Sequence, residues 1–312
     1  MEYFLGIDVG GTNVKVGLVT SEGELLEKRK YPTADFKQAS GGFVLNFIRM
    51  VGEELKAHHR VSKVGIGVPG MISKDRQSTV EMANLPSLND LDLLPQLKKA
   101  YPSISFFLEN DANAAALGEL YFSETSVPDD FLFITLGTGV GSALVLDGKI
   151  FKGGNGNAME LGHTICSTGK SVEFEVGKAG IMRMAKEMML KHRDSKLHKI
   201  ERGEFDSKKI VKIALKGDEA AREIFKYGGK IIGEGLVNAI RILDVDTVIV
   251  GGGVSKTFDL MDDSINAVLK KHLSNYYMNN FQLRLATLGN EAGIIGAASL
   301  CFIETELTRD VK

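Results

Sequence analysis

Apolar residues in this chain come in short runs broken by glycines and polar turns. Residues 3–7 form the first run, which Gly10 and Gly11 end, and the alternation over 14–19 predicts a returning strand. Glu22 and Gly23 mark a turn before a third strand over 25–31. Phe43, Phe47, Ile48, Val51 and Leu55 recur at helical spacing and predict a helix over 43–58. Short apolar strands follow at 64–68 and 104–108, and the second runs into an alanine-rich helix over 111–121.

The pattern then begins again. A strand over 131–136, a glycine turn at 137–141 and a return strand over 142–146 repeat the plan of residues 4–19. Asp147 and Gly148 turn the chain into a further short strand at 149–151. Two such hairpins predict two lobes of related architecture. Further helices are predicted over 177–192, 207–215, 219–243, 258–273 and 292–304, with strands at 247–250 and 282–286 and a loop at 193–204. In the helix over 219–243, Ile224, Ile231, Ile232, Leu236 and Ile240 share one side. Its glycines, Gly228, Gly229, Gly233 and Gly235, lower helix propensity, which predicts close packing against a neighbouring element. Alternating strands and helices place the chain in the α/β class.

Composition narrows the picture by exclusion. At 312 residues the chain suits two lobes better than one core, and 44% hydrophobic with 25% charged residues is an ordinary globular balance. A formal net charge of −2 gives no reason to expect a nucleic-acid or membrane surface. The two cysteines, Cys166 and Cys301, are far apart, which fits a reducing cytoplasm better than a disulfide framework. Residues 1–5 run into a strand without a basic segment and apolar core, so no signal peptide is expected. No apolar run approaches the ~18 residues of a membrane span. The 35 glycines cluster beside strands, where backbone approaches backbone or phosphate.

Three of these clusters stand at strand ends. In the first, Gly10, Gly11, Thr12 and Asn13 allow N–H groups to converge on an anion, with Lys15 just beyond. Asp8 cannot meet phosphate directly, because like charges repel; it fits if it holds Mg²⁺ through water. The second cluster is Gly137, Thr138, Gly139 and Gly141. The third, with Gly251, Gly252 and Gly253, follows an apolar strand and precedes a helix, a context suited to a purine or ribose. Any one of these is also a plain turn; three together are hard to explain as turns. None has the GxxxxGK[ST] spacing, and no GxGxxG opens a helix after the first strand, so neither a P-loop nor a dinucleotide fold is expected.

Glu109, Asn110, Asp111 and Asn113 join a strand end to a helix start. Asp111 reads either as a helix cap or as a carboxylate that accepts a proton from a hydroxyl. Glu160 and His163, three apart, read either as ligands for sugar hydroxyls or as a surface turn. A zinc site at His163 is disfavoured, since Cys166 is the one thiol near it. His58 and His59 end a predicted helix and read as a solvated face.

From Asp8 to about Ala298 these segments together resemble the ROK family of sugar kinases and repressors, within the actin-like, Hsp70-like ATPase fold group. Residues 8–12 look like the family's first phosphate loop, 136–141 its second, 250–255 its adenosine loop and 289–298 its C-terminal signature. Residues 109–116 are similar to its catalytic segment, whose aspartate, here Asp111, is the base. The resemblance implies sugar contacts from Asn84, Asn110, Asp111, Glu160, His163 and Glu173. It implies ATP and Mg²⁺ as cofactors, with ATP phosphates on Gly10, Gly11, Thr12, Asn13, Lys15, Gly137, Thr138 and Gly139 and adenosine near Gly252 and Gly253. The expected fold is then two actin-like (ribonuclease H-like) α/β lobes flanking a nucleotide and sugar cleft. The small lobe takes residues 1–116, joined by a C-terminal helix at 292–312, and the large lobe takes 117–291. Most members follow the histidine with a cysteine cluster that binds structural zinc. Here Cys166, Ser167, Thr168, Gly169, Lys170 and Ser171 stand there instead, so no zinc is expected and other interactions must hold the loop.

The implied activity is ATP-dependent phosphorylation of a hexose, with glucose to glucose 6-phosphate first. N-acetylglucosamine, N-acetylmannosamine, fructose and allose are the alternative acceptors. A sugar-responsive repressor is the non-enzymatic alternative; it would carry a helix-turn-helix of ~70 residues or more before the first phosphate loop, which here begins at Asp8. A sugar-independent actin-like ATPase is a further rival, against which Asp111, Glu160 and His163 speak. A cytoplasmic homodimer without nucleic-acid or membrane partners completes the expectation.

Overall fold

Most of the glycine-broken apolar runs fold as strands that bury one or both faces of the pleat, while the edge strands over 25–32 and 282–285 stay largely exposed. The structure, a computed structural model, describes residues 2–38, 42–82, 85–201, 204–253 and 257–302. It divides into two compact units. The first comprises Met1–Asp129, Leu144–Ala158 and Thr287–Lys312; the second comprises Asp130–Ala143 and Met159–Ala286.

The first unit begins with β1 (Tyr3–Val9), β2 (Asn13–Thr20), β3 (Leu25–Pro32), α1 (Thr33–Gln38), α2 (Gly42–Ala57), β4 (Lys63–Val68), β5 (Met71–Ile72) and β6 (Thr79–Glu81). It continues through α3 (Leu93–Ala100), β7 (Ser105–Asn110) and α4 (Asp111–Phe122). Five strands form one sheet in the order β3-β2-β1-β4-β7. β1, β2 and β3 run antiparallel, while β1, β4 and β7 run parallel. Phe43, Phe47, Met50 and Val51 of α2 share a buried core with Leu5, Ile7, Val64 and Ile66.

The second unit holds β8 (Phe131–Leu136) and the start of β9 (Val140–Leu146), whose end crosses into the first unit and pairs there with β10 (Lys149–Ile150). It then carries α5 (Val172–Val176), α6 (Lys178–Lys191), α7 (Ser207–Leu215) and α8 (Glu219–Leu243). β11 (Thr247–Gly251), α9 (Phe258–His272), α10 (Asn275–Met278) and β12 (Gln282–Leu285) complete it. β8, β11 and β12 are parallel neighbours in the order β10-β9-β8-β11-β12. The glycines of α8 have the expected compensation: a Cβ at Gly229 would lie 2.6 Å from the Met261 carbonyl oxygen, so α9 packs directly on the α8 backbone.

The last helix, α11 (Ala292–Ser299), belongs to the first unit and covers the sheet face opposite α2. A Cβ at Gly6 would lie 2.0 Å from the Ile294 carbonyl oxygen, and one at Gly65 only 1.7 Å from that of Ala297. At Gly6 and Gly65 no side chain fits, so there the helix lies on bare strand backbone, with Phe4 packed beside it against Ile294 and Ala298. The helix expected over 292–304 is shorter, because a 3-10 turn at Leu300–Phe302 follows α11; residues 303–312 of the expected C-terminal helix lie outside the described residues. The expected loop at 193–204 contains a 3-10 turn, Lys196–Lys199, capped by the Ser195 hydroxyl.

Candidate active site

In the first unit, β1, β4 and β7 end together. Asp8 pairs in register with Gly67, and Gly67 with Glu109, so Asp8 and Glu109 stand in one row at the carboxyl edge, with α4 starting two residues past Glu109. Two strand spacings separate Asp8 from Glu109, roughly 10 Å. The carboxyl edge of parallel strands is where α/β folds bind ligands.

The first glycine turn is closed by its own residues. Gly10 N–H donates to the Asn13 carbonyl at 2.9 Å, and Lys15 Nζ lies 2.6 Å from Asp8 Oδ2 across the hairpin. Gly11 and Thr12 are exposed, with the first turn of α1 behind them: Thr33 N–H donates to the Thr12 carbonyl and Thr33 Oγ1 to that of Gly10. Behind Asp8 stands α11, where a Cβ at Gly293 would be 2.6 Å from Asp8 Oδ2. A side chain at Gly293 would require the Asp8 carboxylate to shift, which gives this glycine of the C-terminal pattern a physical reason.

At the β7–α4 junction the cap is Asn110. Its Oδ1 accepts from the N–H groups of Ala112 and Asn113 at 2.9 and 3.2 Å, and its Nδ2 donates to the Gly70 carbonyl at 3.1 Å. Asp111 is therefore the first residue of α4 rather than its cap. It is half-buried, and its Oδ1 accepts from Ala112 N–H at 2.8 Å. Beneath them the buried Glu109 organises the turn. Its Oε1 accepts from Asn110 N–H at 3.0 Å and Asn113 Nδ2 at 3.1 Å. Its Oε2 lies 3.2 Å from Arg76 Nε and 3.7 Å from Lys152 Nζ. Arg76 also donates to the Gly156 carbonyl at 2.5 Å. Asn157 bonds Ile72 through both ends of its amide, which ties residues 156–157 to β5.

The second unit brings the remaining described candidates together. Glu160 and the exposed His163 flank the 3-10 turn Leu161–His163, with Nε2 of His163 3.8 Å from Glu160 Oε2. The turn rests on β9: Ser142 Oγ donates to the Met159 carbonyl and accepts from Leu161 N–H. Burial pushes the Glu160 carboxyl above its ordinary range; His163 opposes this and Glu173 adds to it. Glu173, in the first turn of α5, reaches the second glycine turn, where its Oε2 accepts from Val140 N–H at 2.8 Å. Lys178 N–H, at the start of α6, donates to the Thr138 carbonyl at 3.0 Å. Gly252, at positive φ, lies against the end of β8, a Cβ there being 2.4 Å from the Leu136 carbonyl oxygen. Gly137 and Gly253 face open space. Asn84, and Val254 and Ser255 of the 250–255 segment, lie outside the described residues.

The stretch after His163 is held by hydrogen bonds. Ser167 donates to Glu234 of α8 through both N–H and Oγ, at 3.0 and 2.8 Å. Thr168 Oγ1 donates to the buried Glu175 at 2.9 Å, and Arg183 holds the other oxygen of that carboxylate at 2.5 Å. Cys166 Sγ bonds the Lys170 carbonyl, and Ser171 caps α5. Among the described residues no cluster of three or more His, Cys, Asp or Glu side chains forms a metal site. A single carboxylate at a strand end nevertheless fits Mg²⁺, which keeps most of its waters and takes its other ligands from phosphate.

Arg76, Ser142, Glu175 and Glu234 have no signal in the sequence, since each meets its partner only through the fold. Glu109 has one: it is a charged residue at the end of an otherwise apolar strand.

With this geometry in view, comparison with known proteins is informative. A glucokinase of Halalkalibacterium halodurans is 31% identical over 319 residues, covering 96% of this chain and 94% of that protein. A glucokinase of Thermotoga maritima is 29% identical, covering 95% and 96%. The structure of a ROK family glucokinase from Streptomyces griseus in complex with glucose and AMPPNP superposes with a TM-score of 0.81 at 28% identity, covering 96% of this chain and 99% of that one. The ROK family profile matches residues 4–303, and the chain belongs to the ROK family.

Proposed function

We propose that this protein transfers the γ-phosphoryl group of ATP to a hexose hydroxyl, with glucose the first acceptor to test. The observation that carries the reading is the placement of Asp111. Its half-buried carboxylate opens α4 at the carboxyl edge of the parallel strands, two residues past Glu109, which stands in one row with Asp8. The full-length similarity to glucokinases, and the glucose and AMPPNP bound by the Streptomyces griseus relative, support the choice of hexose and ATP.

In this reading Asp111 accepts the hydroxyl proton as the oxygen attacks phosphorus. Asn110 takes the cap position, and Asp111 opens the first turn of the helix beside it. Glu109 and Arg76 fix the turn beneath it. Glu160, His163, Glu173, Asn110 and Asn84 hold sugar hydroxyls. The turns at Gly10–Asn13 and Gly137–Gly139 receive phosphate, with Lys15 as a cation, and Gly252 and Gly253 border the adenosine. Asp8 is the residue that would hold Mg²⁺ through water, and the ion would supply charge neutralisation at the phosphates. Positioning and electrostatics contribute most of the rate in such transfers. We place the enzyme in the cytoplasm as a homodimer, which sedimentation checks.

A coupled assay of ADP release over a panel of hexoses tests the activity. Glucose is expected to lead, ahead of N-acetylglucosamine, N-acetylmannosamine, fructose and allose. Asp111→Ala is expected to lower turnover roughly 10³-fold, the scale of general-base catalysis, while glucose still binds by calorimetry. Near-native turnover in that variant would reassign the base. Absence of turnover with every sugar, alongside sugar binding, would favour a regulator.

A further inference from the structure

The second glycine turn already holds an anion. Glu173 Oε2 accepts from Val140 N–H at 2.8 Å, and a Cβ at Gly139 would lie only 2.1 Å from the same oxygen. The carboxylate thus sits against the backbone of the turn proposed to receive phosphate. The same carboxylate stands close enough to Glu160 to act on it electrostatically. The Glu160–His163 segment is itself built onto this strand, since a Cβ at Gly162 would lie 2.1 Å from the Val140 carbonyl oxygen. One carboxylate therefore belongs to two proposed binding surfaces. Against one it competes, because a carboxylate beside a phosphate is repulsive and the repulsion is strong away from bulk water. Toward the other it is an acceptor for sugar hydroxyls.

We propose that Glu173 is the residue through which hexose and nucleotide sense each other: its charge on the 137–140 turn disfavours nucleotide phosphate until a sugar hydroxyl donates to that carboxylate. This deepens the sugar-kinase reading and rests on it. A hydroxyl hydrogen bond spreads the carboxylate charge and lowers the negative field on the turn. The coupling is reciprocal, so bound nucleotide tightens sugar by the same factor, and such factors are typically about 5–150.

The test is calorimetric titration of AMPPNP with Mg²⁺ into the full-length protein, with and without saturating glucose, or whichever hexose the panel selects. In the native protein the analogue is expected to bind about tenfold tighter with sugar present. Glu173→Gln keeps an acceptor for Val140 N–H and removes the charge. There the sugar-free affinity is expected to rise and the ratio to fall toward one. A Glu173→Gln protein with the native ratio overturns the proposal. If that variant no longer binds sugar, its sugar-free affinity decides: a rise supports the proposal and no change overturns it. Glu173→Ala gives the same reading if Glu173→Gln does not fold. The native protein alone also decides one way, since equal affinity with and without sugar overturns the coupling. Failure of the underlying kinase reading shows separately, as absence of turnover in the native protein.

Discussion

At the first glycine turn the acid facing the loop is Asp8, and its partner Lys15 stands seven residues on, in the next strand. At the second the acid is Glu173, which reaches Val140 from a helix 33 residues away. The first turn is closed by its own hairpin and backed by α1 and α11. The second also closes on itself, Gly137 N–H donating to the Gly139 carbonyl, but it is tied besides to the segment that carries Glu160, His163 and Glu173, through Val140 and Ser142, and to Lys178 of α6 through Thr138. Two turns that repeat in sequence are thus wired to different parts of the molecule. Damage at the first should read out on nucleotide alone, and damage at the second on nucleotide and sugar together.

The strongest way to break the first turn is to remove what it stands on. Gly65→Ala puts a Cβ 1.7 Å from a backbone oxygen of α11, which cannot swing aside as a side chain can. The expected loss is about 3 kcal/mol, the upper end for overpacking, which lowers Tm by roughly 10 °C. Gly137→Ala, where nothing lies within 4 Å, is expected to leave Tm unchanged. Differential scanning calorimetry of the pair decides, and equal melting would mean that α11 does not lie on the strand backbone.

A smaller lesion probes the chemistry. Asp8→Asn keeps the shape and removes the charge that Lys15 faces. Turnover is expected to fall about a hundredfold, the scale for one lost electrostatic group at a transferring phosphoryl, with partial recovery at raised Mg²⁺. The hexose KM is expected to stay within about twofold of native, whereas a lesion at Glu173 moves both substrates. Steady-state kinetics at several Mg²⁺ concentrations check this. A hexose KM that rises as far as turnover falls would erase the distinction between the turns.

That distinction was only half legible beforehand. The alternation over 14–19, the glycine turn and the nearness of Asp8 to Lys15 are local, so periodicity and spacing expose the first hairpin. The α8 glycines likewise announced a close neighbour, which proved to be α9. The role of Asn110 as the cap was not legible, because Asn110 and Asp111 both suit that position and only the backbone decides which takes it. Glu109 with Arg76, and Glu173 with Val140, depend on long-range contacts that no spacing rule encodes. Short helices such as α5 escaped for a related reason: five residues carry too little periodicity to be read, and a serine cap with tertiary packing sets them.

The smallest expected effect concerns what keeps the second turn's supporting segment in place. Ser167 meets Glu234 through two hydrogen bonds, both solvent-exposed, so each contributes near the lower end of about 0.5–1.5 kcal/mol. Ser167→Ala removes the hydroxyl bond and leaves the N–H bond. It should raise the hexose KM about threefold with little change in kcat, because the segment loosens without losing a group that touches the reacting atoms. Glu234→Ala removes both bonds and should raise KM somewhat further. In the double variant the effects should not add, since the Ser167 hydroxyl has no partner once Glu234 is gone. Additive losses would mean that each side chain acts through some other contact, and that the loop is held chiefly by the Thr168–Glu175–Arg183 chain, centred on the buried Glu175. Thr168→Val would then carry the larger effect, and its KM measured beside that of Ser167→Ala ranks the two ties.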